Sequence, residues 1–412
     1  MKYGLIGEHL SHSFSKPIHE KIGGYVYEIK EIEPENVEAF IKAKDFSGIN
    51  VTIPYKEKVM PYLDQIDESA KKIGAVNTVV NREGKLYGYN TDFFGMVALL
   101  DRAKVTVKDK KVLIIGTGGT SKTATAVSKY LGAKEIIYAS HSFAKGAFTY
   151  DQIYKYHLDV QVIFNTSPVG MFPNNETTPI DLDRFTSLTG VIDAVYNPIR
   201  TNLVLKAREK GVKSEGGLYM LVSQAVRAYE HFSGTSVDNS LCDQIFDSVL
   251  YEKENVALIG MMSCGKTSVG KALAKLTGKV FVDTDEEIVK KAEMDIPTIF
   301  EKYGEEYFRE LESQVIEEIS KKNGQIIATG GGAILRKENV NMLKQNSKIF
   351  FIDRSLDLLM PTKDRPLGST KEAISKKYNE RYPIYASACD VSVDGDASVD
   401  KVCEKIYVEL KK

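Results

Sequence analysis

The sequence has 412 residues, of which 43% are hydrophobic and 27% charged, and its formal net charge is −1. That length exceeds the usual size of a single hydrophobic core and favours about two or three domains. The near-neutral charge argues against a nucleic-acid-binding protein, which normally carries a basic stripe, and favours a small-molecule substrate.

Signals of a membrane or secreted protein are missing from the sequence. No apolar run approaches the ~18 residues that span a bilayer. The stretch "MKYGLIGEHL" predicts a strand and a turn rather than a targeting peptide. The 4 cysteines show neither a C-x-x-C pair nor metal-ligand spacing, which favours reduced thiols. We therefore expect a cytoplasmic protein.

Short apolar strands alternate with helices along the whole chain. The first series contains "KYGLIG", "YVYEIKEI", "GINVTIP" and "GAVNTVV". After a charged stretch at 101–109, the second series contains "KVLIIG", "EIIYAS", "VQVIFNTS" and "GVIDAVY". Helical segments at about 218–250 precede a third series, which starts near residue 255. Continuous apolar strands that alternate with helices indicate parallel sheets covered on both faces, so we predict an α/β fold throughout.

Polar side chains follow the strands of the first series. In "HLSHSFSKPIHE", Ser13 and Ser15 precede a predicted helix, where their hydroxyls either bind an anionic oxygen or cap the helix. Lys56 follows the strand in "GINVTIPYKE", and Asp92 ends the stretch "GYNTD". A lysine with an aspartate partner suits the proton transfer that accompanies hydride addition to a carbonyl. A lone Lys56 is more simply a surface lysine, so the prediction depends on the ordered set of motifs.

This ordered set resembles the shikimate dehydrogenase family over residues 1–250. The resemblance implies that the chain reduces 3-dehydroshikimate to shikimate with NADPH. It also implies that Lys56 and Asp92 are the catalytic pair. The residues that it implies for holding shikimate are Ser13, Ser15, Thr52, Asn77, Asp92 and Gln224, with Tyr196 nearby.

The turn "GTGGTSK" opens the second series and is followed by a helical run. It departs from the G-x-G-x-x-G fingerprint because Ser121 occupies the last glycine position. The next strand ends at Ser140 and His141, with Lys145 beyond and no acidic residue, which favours a 2′-phosphate and therefore NADP over NAD. The family resemblance implies further cofactor contacts, with the pyrophosphate at Gly116, Gly118 and Gly119 and the rest of the cofactor along Thr166 and Gly217.

A second phosphate turn, "GMMSCGKT", follows the first strand of the third series and fits G-x-x-x-x-G-K-[ST]. In such a loop the glycines permit a backbone whose N–H groups point at phosphate oxygens. Lys266 is then expected to bridge the terminal phosphates, and the Thr267 hydroxyl to bind Mg²⁺. The nucleotide contacts that we expect in this turn are Gly260, Cys264, Gly265, Lys266, Thr267 and Ser268.

The next strand, in "VFVDTDEEI", ends in two aspartates that are two residues apart. The period of two in a strand sends Asp283 and Asp285 to the same side at its carboxyl end, where ligands of α/β proteins bind. One is expected to help Thr267 hold Mg²⁺, and the other to orient an acceptor hydroxyl. The structural alternative is that an aspartate caps the following helix, which is compatible with either role.

The remaining motifs of the third series are F-R-x-x-E, a triple-glycine turn, a D-R-P-L segment and R-x-P-x-Y. The glycines at 330–332 permit a close approach of the backbone, most simply to a ligand. In this order the motifs resemble the shikimate kinase family over residues 255–412. The resemblance implies that Lys266 and Asp285 are catalytic and that a lid brings Arg365 to the phosphates. It implies that shikimate is held by Asp285, Arg309, Gly331, Gly332 and Arg381.

Two departures from the kinase pattern bear on nucleotide binding. The lid segment "MPTKDRPLGS" is short, and Cys264 stands where a small residue such as Gly or Ala is usual.

Both resemblances together predict a bifunctional enzyme of the pathway to aromatic amino acids, which uses NADP(H), ATP and Mg²⁺. The expected partners are 3-dehydroshikimate and shikimate rather than nucleic acid or membrane, and homo-oligomerisation is left open. The predicted domains are a substrate domain at 1–100 plus 218–250, a Rossmann-type NADP-binding domain at 101–217, and a P-loop NMP-kinase-like domain at 251–412. Two alternatives are that one half is a sensing or scaffolding module, and that the dehydrogenase half takes quinate.

Overall fold

The computed structural model describes residues 1–10, 13–140, 146–238, 240–360 and 370–411. The chain divides into two compact units, Met1–Val249 and Leu250–Lys412. The α/β prediction is confirmed, because parallel strands alternate with helices in both units. None of the described helices has the length and apolar character needed to cross a membrane.

The first unit begins with a mixed sheet in the strand order β2-β1-β3-β5-β6-β4. Its core consists of apolar side chains from the inner strands, such as Ile6, Ile49 and Val79, which are fully buried. The strands are β1 (Tyr3–Gly7), β2 (Glu28–Glu31), β3 (Gly48–Val51), β4 (Gln65–Ile66), β5 (Thr78–Arg82) and β6 (Lys85–Tyr89). The helices among them are α1 (Ser15–Gly23), α2 (Val37–Ala43) and α3 (Glu68–Ile73).

A second sheet in the same unit is parallel throughout. Its strands are β7 (Lys111–Ile115), β8 (Glu135–Ala139), β9 (Val162–Asn165), β10 (Gly190–Asp193) and β11 (Lys213–Glu215). They lie in the order β11-β10-β9-β7-β8. The order in which strands are added reverses between β7 and β9, and open α/β sheets bind ligands at such a position. Helices follow these strands: α5 (Gly119–Tyr130), α6 (Tyr150–Tyr156) and α7 (Asn202–Glu209).

Two further helices, α4 (Asp92–Arg102) and α8 (Leu218–Ser233), pack against each other. Gly95 of α4 permits this contact, because a Cβ there would lie 2.6 Å from the carbonyl oxygen of Met220 in α8. Leu99 of α4 shares a buried cluster with Val112 and Ile114 of β7. Since α8 also contacts α1, these helices connect the two sheets of the first unit.

The second unit is a five-stranded parallel sheet in the order β13-β14-β12-β15-β16. Its strands are β12 (Asn255–Ile259), β13 (Val280–Asp283), β14 (Gln325–Ala328), β15 (Ser347–Asp353) and β16 (Val391–Asp394). Helix α9 (Ser240–Lys253) precedes them and crosses the division between the units. The other helices are α10 (Lys266–Thr277), α11 (Thr284–Ala292), α12 (Ile296–Ser320), α13 (Lys337–Asn346), α14 (Lys371–Ala388) and α15 (Val399–Leu410).

Asp193 is a fully buried carboxyl group at the carboxyl end of β10. Its Oδ1 accepts hydrogen bonds from Asn165 Nδ2 and Val195 N, both at 3.0 Å, and its Oδ2 accepts from Thr201 Oγ1 at 2.6 Å. Burial nevertheless raises the pKa of Asp193 to about 7, which the three hydrogen bonds only partly oppose. Between about pH 4 and pH 7, the folded chain therefore retains a proton on Asp193 that the unfolded chain has lost.

This proton makes the stability of the first unit depend on pH. Because the folded pKa of Asp193 lies above the unfolded one, the free energy of unfolding should fall as pH rises from about 4 to about 7. One proton corresponds to about 1.4 kcal/mol per pH unit. The variant Asp193→Asn keeps the hydrogen-bonding shape without a titrating group, so its free energy of unfolding should fall less between pH 5 and pH 7.

Hydrogen exchange in a urea series, measured by mass spectrometry on peptides from β9 and β10, reports this unit separately from the other. Equal pH slopes in the wild type and in Asp193→Asn would show that another group carries the dependence.

Candidate active sites

Lys56 and Asp92 form an ion pair in the first unit. Lys56 follows β3, and Asp92 is the first residue of α4, where the helix N-terminus favours a carboxylate. Lys56 Nζ donates to Asp92 Oδ2 at 2.6 Å, and the two side chains are only 15% and 9% exposed. A Cβ at Gly119 would lie 3.7 Å from Lys56 Cδ, so the pair lies beside the glycine turn after β7.

Buried amide and hydroxyl groups surround Asn77 and Gln224. Asn77 Nδ2 donates to Thr91 Oγ1 at 3.0 Å, and Asn77 Oδ1 accepts from Thr91 N at 2.7 Å. Gln224, which α8 brings back to the first sheet, accepts at Oε1 from Thr91 Oγ1 at 3.3 Å. Thr91 thus joins Asn77 and Gln224, which were both predicted to bind the substrate. No role was predicted for Thr91 itself.

Ser13 and Tyr196 also meet in the first unit. The Tyr196 hydroxyl is hydrogen-bonded to Ser13, and burial raises the pKa of Tyr196. Ser13 Oγ also accepts from Ser15 N at 3.2 Å, but the N-cap of α1 is Phe14 and no side chain caps this helix. Ser15 is buried, and Thr52 is half-buried after β3.

The turn after β7 has the shape of a phosphate-binding turn. Gly116 has φ +104°, and a Cβ there would lie 3.0 Å from Thr166 Oγ1. Gly118 precedes α5 with open space where its Cβ would stand. An open turn at a helix N-terminus fits the pyrophosphate of a dinucleotide. Gly217 has a different reason to be glycine, because a Cβ there would lie 2.3 Å from the carbonyl oxygen of Ala194.

Ser140 is half-buried just after β8, and its N–H donates to the carbonyl oxygen of Phe148 at 3.2 Å. His141 and Lys145, which were predicted to contact the cofactor, lie outside the described residues.

The loop after β12 holds the ammonium group of Lys266. Gly260 and Gly265 have φ +148° and +98°, which only glycine adopts readily. Lys266 Nζ donates to the carbonyl oxygens of Gly260 and Met261, both at 2.8 Å, and lies 3.6 Å from the sulfur of the buried Cys264. Ser268 is exposed on α10.

Thr267 and Asp283 bring two oxygen donors together beside this loop. Thr267 Oγ1 donates to Asp283 Oδ2 at 2.8 Å, while Asp283 Oδ1 caps α11 by accepting from Asp285 N at 3.0 Å. Hard oxygen donors of this kind fit Mg²⁺, which keeps several waters and needs few protein ligands. No described cluster of three His, Cys, Asp or Glu side chains offers a metal site of another kind.

The prediction that Asp285 lies at the end of a strand is wrong. Strand β13 ends at Asp283, and Asp285 lies in the first turn of α11. Asp285 is helical because the side chain of Asp283 caps α11, so that the strand ends at Asp283.

Arg309 lies between two carboxylates in the second unit. Its Nη1 donates to Glu312 Oε2 at 2.7 Å, and its Nη2 donates to Glu305 Oε1 at 3.0 Å. Although burial opposes it, these carboxylates raise the pKa of Arg309. Burial raises the pKa of Glu312, against the opposing effect of Arg309. Glu312 is the last residue of the F-R-x-x-E motif, which alone predicts no partner for it.

The triple-glycine turn after β14 makes room for side chains of this chain. A Cβ at Gly332 would lie 2.3 Å from Arg309 Nη1, and a Cβ at Gly330 would lie 2.7 Å from Asp285 Oδ1. The absence of a Cβ at Gly330 and Gly332 therefore makes room for Asp285 and Arg309, and a contact of this turn with a ligand stays a prediction. Arg381 Nη1 donates to the carbonyl oxygen of Gly331 at 3.0 Å, which fixes the second arginine beside the first.

The hydroxyl of Tyr385 also donates to the Gly331 carbonyl oxygen. Tyr385, for which no role was predicted, is the last residue of the R-x-P-x-Y motif. Arg365, predicted to act from a lid, lies outside the described residues.

Both parts of the chain match known families. A family model for the shikimate dehydrogenase substrate binding domain matches residues 5–79, and one for shikimate kinase matches residues 262–411. The shikimate dehydrogenase (NADP(+)) of Clostridium beijerinckii is 38% identical over 273 residues, which are 61% of this chain and 98% of that protein.

Solved structures resemble the first part of the chain. Shikimate dehydrogenase 1 from Peptoclostridium difficile has a TM-score of 0.56 and 36% identity, covering 60% of this chain and 98% of that one. Quinate dehydrogenase from Corynebacterium glutamicum in complex with NAD has a TM-score of 0.54 and 26% identity, covering 61% of this chain and 98% of that one.

Proposed function

We propose how individual residues act in this chain, which belongs to the shikimate dehydrogenase family and continues into a shikimate kinase domain. The predicted fusion and both activities are confirmed. The chain is a bifunctional enzyme of the shikimate pathway, which reduces 3-dehydroshikimate with NADPH and phosphorylates shikimate with ATP. Residue roles and a cytoplasmic location are our proposals, and the four free cysteines support the location.

The observation that carries the reductase proposal is the 2.6 Å bond between Lys56 Nζ and Asp92 Oδ2. NADPH supplies the hydride when it is bound. The carbonyl oxygen must gain a proton as the carbon accepts that hydride, and Lys56 is the group that we assign as the proton donor. Asp92 holds the ammonium in place and balances its charge, while Gln224 and Asn77 supply hydrogen bonds to the ring hydroxyls.

For the phosphorylation, we assign the acceptor carboxylate to Arg309 and Arg381. A planar guanidinium suits two-pronged recognition of a carboxylate, and both arginines are fixed by bonds within the chain. Asp285 is the group that we assign to accept the proton of the acceptor hydroxyl. Lys266 would hold the phosphates, with Thr267 and Asp283 on Mg²⁺.

Shikimate rather than quinate is the proposed ring substrate, since the C. beijerinckii relative at 38% identity is a shikimate dehydrogenase. The quinate dehydrogenase structure is only 26% identical. Comparing kcat/KM for oxidation of shikimate and of quinate, each with NADP and with NAD, tests this choice. A higher kcat/KM for quinate than for shikimate would contradict the choice of shikimate as the ring substrate.

Variants of the two lysines should separate the activities. We expect Lys56→Met to lower NADPH-dependent reduction by about 10²–10⁴-fold, because the proton donor is lost. ATP-dependent phosphorylation of added shikimate should persist in that variant, and Lys266→Met should have the reverse effect. Absorbance of NADPH and a coupled ADP assay measure the two rates.

The exposed neighbour variant Lys58→Met is the control for Lys56. Undiminished reduction in Lys56→Met would exclude Lys56 as the proton donor. A severalfold loss of reduction in Lys266→Met would show that the two sites are coupled.

Gly332→Ala should damage the acceptor site of the kinase domain. The added Cβ would lie 2.3 Å from Arg309 Nη1 and displace the guanidinium. We expect the KM for shikimate in the phosphorylation to rise at least about tenfold, the effect of losing about 1.4 kcal/mol of binding. The KM for ATP and the reduction rate of the same preparation are internal controls, and an unchanged KM for shikimate would contradict the assignment of Arg309.

A further inference from the structure

Arg309 is already paired on both of its terminal nitrogens. Glu312, on Nη1, is 1% exposed and fixed, whereas the side chain of Glu305, on Nη2, is 50% exposed. A carboxylate ligand that takes the position on Nη2 where Glu305 now binds has to replace Glu305. Glu305 can be displaced without burying a new charge, because its carboxylate already faces solvent on one side.

Glu305 occupies a distinct place in its helix. It directly follows Gly304, whose φ of 81° and ψ of 177° interrupt α12. The second half of the helix starts here, so its N-terminal N–H groups favour a carboxylate at this point. We expect the exchange to require movement of the Glu305 side chain alone, since its bond to Arg309 is made by the side-chain carboxylate.

Lys377 of α14 is a cation that interacts electrostatically with both members of this pair. Ile374, Arg381 and Tyr385 form the buried stripe of α14, and Lys377 is half-buried on the same face, one turn before Arg381. The charged groups that act on Lys377 are Arg381, Glu305, Arg309 and Glu380. Burial and Arg381 lower the pKa of Lys377, and Glu305 opposes this.

The charges of the site explain why a third cation is useful. Arg309 and Arg381 face the three carboxylates Asp285, Glu305 and Glu312, and the acceptor brings a fourth. A carboxylate released from Arg309 without a new partner would raise the negative charge around the bound acceptor. Lys377 offsets one of these negative charges and lies within the electrostatic reach of Glu305.

We propose that Lys377 receives the carboxylate of Glu305 when the acceptor carboxylate replaces it on Arg309, so that Lys377 is a positioning residue for shikimate binding. This exchange rests on the proposed role of Arg309 and Arg381. It makes the affinity for shikimate depend on a lysine that does not touch shikimate.

The test compares steady-state phosphorylation by the full chain in Lys377→Met, Glu305→Gln and the double variant. Lys377→Met should raise the KM for shikimate about three- to thirtyfold and leave kcat and the KM for ATP within about twofold, because only acceptor binding uses the exchange. Lys377→Arg should restore most of the affinity. Lys376→Met, the exposed neighbour on the same helix, is the matched control and should not change the KM.

The double variant separates exchange from direct contact. If Lys377 acts through Glu305, the effect of Lys377→Met on KM should vanish in the Glu305→Gln background. An equal effect in both backgrounds would mean that Lys377 binds the acceptor itself, and no effect in either would remove Lys377 from the site; both results overturn the proposal. Arg381→Met distinguishes failure of the underlying assignment, since an unchanged KM in that variant would reject the carboxylate site altogether.

Discussion

In a parallel sheet covered by helices on both faces, ligands bind at the carboxyl ends of the strands. The glycine turn after β7, Thr166 after β9 and Asp193 at the end of β10 lie at these ends in the first unit. The corresponding position in the second unit contains the loop after β12, Asp283 and the triple-glycine turn after β14. The helices that begin at these ends bring their N-termini to the ligand, so the topology itself provides for phosphate groups in both reactions.

Buried charge in the kinase domain is compensated within the chain. Arg309, Glu312 and Arg381 are each less than a tenth exposed, and burying such groups unpaired would be costly. The glycines at 330 and 332 lack the side chains that would collide with Asp285 and Arg309. The carbonyl oxygen of Gly331 meanwhile accepts from Arg381 and Tyr385, so hydrogen bonds join the turn to two side chains of α14.

Much of the fold and part of each site could be predicted from the sequence, because apolar periodicity and turn residues are local signals. The pairing of Lys56 with Asp92 could be expected from an ordered set of motifs. The partners of Arg309 and the role of Tyr385 depend on side-chain directions after folding, which no spacing reveals. Asp285 was assigned to a strand because its alternation with Asp283 fits that period, but capping by Asp283 decided for a helix.

Helix α4 shows another limit. The charged stretch at its end suggested a border between two regions, whereas its buried face joins the core of the second sheet. Composition alone does not tell which sheet a helix packs against.

The bonds of Lys266 to the carbonyl oxygens of Gly260 and Met261 have a thermodynamic consequence. A ligand that arrives at this ammonium exchanges one set of acceptors for another, so the lysine contributes only the difference between the two sets. A neutral or singly charged group gains little from such an exchange, while a polyphosphate gains more because its oxygens carry more charge. We therefore expect this loop to discriminate among ligands by their charge density.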